Sequence, residues 1–146
     1  MDELVNALKV ALADTFTFYL KAHGFHWNIE GPEFPQYHAF FETIYTDTFE
    51  AADGLAERVR TLDSYAPGSL SRFKELTTIK EEVNILSAHD MVAKLASDNQ
   101  KVIASLVKAR ELAEKNKKFG IVNFLEDRLD KHEKHGWMLR ATAKVK

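Results

Sequence analysis

Five residues of types that bind cations fall within one stretch of the chain: His26, His38, Glu42, Asp53 and Glu57. Two imidazoles and three carboxylates make a mixed nitrogen and hard-oxygen set without sulfur, which suits iron(II), manganese or zinc. The carboxylates favour a cation that gains charge on oxidation, so iron is the first expectation. On a helix turning about 100° per residue, His38, Glu42, Asp53 and Glu57 fall within about 100° of arc and share one face. Along the axis they are split. Glu42 and Asp53 stand about 16 Å apart at a rise of 1.5 Å per residue, whereas metal–ligand bonds are about 2 Å long. One straight helix cannot close both pairs on one ion.

Two antiparallel copies of that helix can. His38 paired with Glu57, and Glu42 paired with Asp53, have the same midpoint, between Asp47 and Thr48. A two-fold axis there sets 38/42 of one chain opposite 53/57 of a second copy. The operation acts twice, so a dimer carries two identical sites, as an isologous interface requires. His26, just before the turn into this helix, is placed to add a ligand near the 38/42 end. The same residues also have an ordinary reading. Charges at i, i+4 on a helix are commonly a solvated face, and histidines near helix ends commonly sit at the surface or cap the helix. Spacing alone leaves both readings open.

The elements that must position these residues are helices. Leu4, Leu8, Leu12, Phe16 and Tyr19 recur at helical spacing. This first helix should stop near Asn28, because Gly31, Pro32 and Pro35 follow. The second should start at Phe34 or Pro35, where proline is tolerated in a first turn. It carries Phe41, Ile44, Phe49, Leu55 and Val59, and Asp63 to Gly68 mark its end. Residues 63–87 form a long connection with a short helix expected around Ser71 to Leu76. Ser87-Ala-His-Asp90 resembles a capping box that opens the third helix. Asn116 to Gly120 interrupt the pattern, and the fourth helix should run from about Ile121 to Ala141. The expected fold class is all-α, a four-helix bundle with one crossover connection, as a single domain over residues 1–146.

Composition excludes several function classes. The 146 residues include no cysteine, which rules out disulfides, thiolate catalysis and zinc–cysteine sites. A formal net charge of −2 argues against nucleic-acid binding through the whole surface. No apolar run approaches the roughly 20 residues that span a bilayer. The acidic start, Met-Asp-Glu-Leu, lacks the plan of a signal peptide, and a cytoplasmic location is expected. A dimetal centre inside the bundle would need Glu-x-x-His on two helices. The third and fourth helices contain none, so His132 and His135 are expected to pack or hydrogen-bond within the last helix.

The segment HWNIEGPEFPQYH (26–38) resembles the His-Trp-Asn … Gly-Pro-x-Phe … His signature of the Dps family, the mini-ferritins or DNA-binding proteins from starved cells. DGLAER (53–58), Pro67-Gly-Ser-Leu70 and HEKHGWMLRA (132–141) resemble further segments of that family, in the same order along nearly the whole chain. The resemblance implies a ferritin-like subunit in a hollow twelve-subunit homo-oligomer. It implies a ferroxidase that oxidises iron(II) at two-fold interfaces, preferentially with hydrogen peroxide, and stores ferric mineral against oxidative damage. His26, His38 and Glu42 would then come from one subunit, with Asp53 and Glu57 from its neighbour. Trp27 would lie near the iron, chiefly as interface packing, and Arg58 would be a salt-bridge partner. Lys115 to Gly120 stand where many members are acidic, leaving Glu126, Asp127 and Asp130 as the acids near a pore. DNA binding should be weak or absent, because no lysine-rich tail is present. The alternative is a DNA-protecting or structural shell with little ferroxidase activity; a cage holding zinc or manganese at the same ligands is another.

Overall fold

The computed structural model describes residues 1–144. Its elements are α1 (Asp2–Asn28), α2 (Phe34–Thr61), α3 (Leu70–Leu76), α4 (Ala88–Lys115) and α5 (Phe119–Ala143), with no strand among the described residues. The four long helices and the short helix in the connection stand as the periodicity predicts. Ser87 caps α4 as expected, its hydroxyl accepting from the Asp90 amide at 3.1 Å. The start of α5 differs: Phe119 and Gly120 are helical rather than a break. The physical reason is a sharp helix end. Lys117 adopts φ 56°, its amide reaches Glu114 O at 2.9 Å and the Lys118 amide reaches Ala113 O at 2.8 Å. That hydrogen-bond pair is a Schellman ending, which reverses the chain within three residues and lets α5 begin at once. Asp63 (φ 59°) ends α2 in the same way.

α1 packs against α2 and α4, and α4 against α5. The short 29–33 turn makes α1 and α2 antiparallel. α1 and α4 are antiparallel too, since Lys21 pairs with Asp98 while a groove between Asn6 and Lys108 closes the other end. Helices α2 and α4 therefore run parallel, which only a connection returning along the bundle can produce. Two buried groups of α1 hold that connection. Asp14 accepts from Thr77 Oγ1 (2.7 Å), the Thr78 amide (2.6 Å) and Thr78 Oγ1 (2.9 Å). Lys21 donates to Lys80 O at 2.8 Å and meets Asp98 of α4 at 2.5 Å. Burial is tolerable because Lys21 is paired with Asp98 and Asp14 accepts three hydrogen bonds. Around them Leu4, Leu8, Phe18, Phe41, Leu55, Leu95, Leu106 and Leu125 form one continuous core.

Candidate metal centre

The end of α1 and the start of α2 are locked together by two histidines. His26 Nδ1 donates to His38 O at 2.7 Å, and His38 Nδ1 donates to His26 O at 2.8 Å. The rings stack, with centroids 3.6 Å apart and planes 16° from parallel. His26 O belongs to the last turn of α1, where carbonyls lack helical partners, so His38 acts as its cap. With both Nδ1 atoms donating, the neutral rings carry their lone pairs on Nε2. A carbonyl on the far nitrogen is the usual arrangement of a metal-binding imidazole. His26 is buried and His38 half-buried, and Phe34 stacks on the outer face of His38 at 4.8 Å.

Glu42 is exposed one turn along α2 and accepts from the Tyr45 hydroxyl at 3.2 Å. The Tyr45 ring stacks on His23, centroids 3.8 Å apart, and meets His26 edge-on at 4.9 Å. His23 also touches Trp27 (4.2 Å) and the Tyr19 hydroxyl (Nδ1 at 2.9 Å). Desolvation, and then the neighbouring His26, hold the His23 pKa below its ordinary value, partly opposed by Glu42. Sequence reasoning passed over His23 and Tyr45. The i, i+4 recurrence Tyr19, His23, Trp27 is the signal that could have found His23; Tyr45, on another helix, leaves no such signal.

Asp53 and Glu57 are exposed at the far end of the same face of α2, and neither carboxylate forms an ion pair with another described residue of the chain. Their turn is held from behind. A Cβ built on Gly54 would stand 2.6 Å from Phe124 Cζ, so only glycine admits that ring. Arg58 is a correction to the expected salt bridge: its guanidinium lies over the Phe124 ring, 4.1 Å from the centroid, with Nη1 3.4 Å from Gly54 O. Thus the structure brings His26, His38 and Glu42 to one end of a stripe and leaves Asp53 and Glu57 at the other. Among the described residues, no three acidic or histidine side chains of one chain are grouped to hold a metal ion.

The stripe is also apolar at intervals. Phe49, between the two ligand pairs, is 59% exposed and Trp27 is 60% exposed. On α5, Glu126 is not a free acid. Arg110 pairs with it at 2.8 Å and with Glu114 at 2.5 Å. Asp127 and Asp130 are exposed. His132 and His135 hydrogen-bond inside the bundle, although with α2 and α4 rather than along their own helix alone.

Residues 5–145 match the family described as Ferritin, ferritin-like domain. The chain is 34% identical to a DNA protection during starvation protein of Brevibacillus brevis, over 89% of this chain and 87% of that one. It is 35% identical to an uncharacterized low temperature-induced protein of Nostoc, over 94% of this chain and 78% of the relative. Among solved structures it is similar to a DPS protein from Vibrio cholerae O1, described as a member of a broad superfamily of ferritin-like diiron-carboxylate proteins. That likeness has a TM-score of 0.94 at 34% identity and covers 98% of this chain and 90% of the other. Dps from Staphylococcus aureus gives a TM-score of 0.95 at 27% identity, covering 100% and 98%.

Proposed function

Because the chain belongs to the Dps family of ferritin-like proteins, we propose that it is a ferroxidase and iron-storage subunit of a homo-oligomeric cage. Residues 1–146 act as one ferritin-like domain, working in the cytoplasm, and twelve copies enclose the mineral. Iron(II) is the substrate. His26, His38 and Glu42 of one subunit bind it together with Asp53 and Glu57 of a two-fold neighbour. The observation that carries this reading is the divided stripe: two imidazoles whose Nδ1 atoms are engaged, leaving Nε2 for metal, at one end of α2, two carboxylates that pair with no other described residue at the other, and exposed Phe49 between them. Antiparallel apposition of two stripes joins the halves and buries Phe49 and Trp27 in the same step.

Hydrogen peroxide is the preferred oxidant. Two iron(II) ions give one electron each, the O–O bond breaks, and both oxygens leave as water after taking up two protons. No hydroxyl radical is released, because both electrons come from paired ions. Carboxylate ligands stabilise the iron(III) product, whose greater charge they match.

Complementation tests the shared site. One variant carries His38→Ala and Glu42→Ala, the other Asp53→Ala and Glu57→Ala. Each alone should oxidise iron(II) with peroxide at a small fraction of the wild-type rate. Their mixed dimer holds one fully intact site and one empty one, so co-assembly should restore activity. Failure of the mixture to regain activity, while both variants assemble, would sink the shared-site reading.

A further inference from the structure

Tyr45 stands three residues beyond Glu42 on α2, and its hydroxyl donates to Glu42 Oε1 at 3.2 Å. Residues at that spacing are neighbours on one helix face. The two side chains differ in freedom. Glu42 is exposed, and among the described residues it forms no ion pair. Tyr45 is half-buried, with its ring held on two sides. It stacks on His23, centroids 3.8 Å apart and planes 9° from parallel, and meets His26 edge-on at 4.9 Å. His23 is fixed in turn on α1. Its Nδ1 lies 2.9 Å from the Tyr19 hydroxyl, and the Trp27 ring meets it at 4.2 Å. A chain of contacts therefore runs from α1 through His23 and Tyr45 to the Glu42 carboxylate.

We propose that Tyr45 is a positioning residue for Glu42: its hydroxyl binds Oε1, orders the carboxylate and leaves Oε2 for iron(II). This role rests on the proposed function and names what holds the third ligand of the 38/42 half. His26 and His38 are oriented by their reciprocal Nδ1 bonds, which do not reach Glu42. An exposed glutamate must otherwise order several torsions when it binds an ion. A hydrogen bond made beforehand lowers that cost. The chemistry of the donor matters as well. A phenol is a neutral donor, so it orders the carboxylate without cancelling its charge. A lysine or arginine in the same place would repel the incoming cation. Partners that hydrogen-bond to ligating carboxylates commonly act in this way, and their loss weakens metal binding about 10–100-fold.

Tyr45→Phe tests this, with cobalt(II) as anaerobic probe on the assembled protein. The ring and its stack on His23 are kept, and the hydroxyl is removed. Cobalt should bind at least about tenfold more weakly, with a changed ligand-field spectrum, while the melting curve of the metal-free variant stays close to that of wild type. Glu42→Ala should also weaken binding. Adding Tyr45→Phe to Glu42→Ala should then cost nothing further, because the hydroxyl acts through Glu42; a ring that merely packs would give additive losses. Unchanged affinity and spectrum in Tyr45→Phe, or additive losses in the double variant, overturn the positioning role and leave the shared site standing. Glu42→Ala that binds cobalt as wild type does removes Glu42 from the ligands, and overturns both.

Discussion

His26 and His38 each donate Nδ1–H to the other's backbone carbonyl, at 2.7 and 2.8 Å, across the junction of α1 and α2. The reciprocity fixes both ring orientations without using either Nε2. On the proposed function, that rigidity lowers the ordering cost of binding iron.

His38→Phe tests the binding role. The ring that stacks on His26 and under Phe34 is kept, while Nε2 and the Nδ1 donor to His26 O are both lost, so a melting curve is read beside the titration. Cobalt(II) or iron(II) titrated anaerobically should bind the stripe about 10–100-fold more weakly, taking the loss of an outer-shell partner as the lower scale. Unchanged affinity would remove His38 from the ligand set.

Gly54→Ala should destabilise the subunit by about 1–3 kcal/mol, read by denaturant unfolding. The added Cβ would stand 2.6 Å from Phe124 Cζ, and Arg58 lies on the same ring. Phe124→Leu in the same chain should recover part of the loss. Equal instability of the double variant would mean that the clash is not the cause.

Stability should fall as pH drops below about 6.5. Burial, and then the positive field of Arg128 and the neighbouring His135, hold the His132 pKa well below 6.5, with Asp47 opposing. The unfolded chain therefore takes up a proton that the folded chain refuses, and stability is lost from about pH 6.5 downward. A second loss follows in the carboxylate range. Burial opposes it, but Arg128 and His135 hold the Asp47 carboxyl well below its usual value, so the stability it contributes above pH 4 or so declines in acid. Melting curves from pH 7.5 to 5 check the first phase; a flat profile would contradict the neutral His132.

DNA affinity should be weak and disappear at physiological salt. The net charge is −2, and attraction from scattered lysines is counterion-dependent. A gel shift in about 50 mM and about 150 mM salt reads this. A complex that survives the higher salt would favour the DNA-protecting shell instead.

Much of the fold was legible in the sequence because helix periodicity, proline and glycine punctuation and the Ser87 cap act locally. The α5 start was not, because Lys117 takes a left-handed conformation that lysine does not advertise, and its two hydrogen bonds replace the expected longer break. That residues 38, 42, 53 and 57 share a face was legible as well, by helix geometry alone. Arg58 was misjudged. Its partner, Phe124, lies on α5, and a cation over a ring leaves no spacing signature.

By itself, the sequence determined the helices, their punctuation, and a row of ligand types too widely spaced for one ion, because these follow from a 3.6-residue period along a single helix. Tertiary structure decided the pairing between helices. It chose which histidine nitrogens stay free, by bringing the His26 and His38 carbonyls within reach. It also joined Asp47 to Arg128 across 81 positions of the chain. Only packing of α2 against α5 gives Asp47 a guanidinium partner while Asp53 and Glu57, turned about 120° and about 80° away round the same helix, remain exposed.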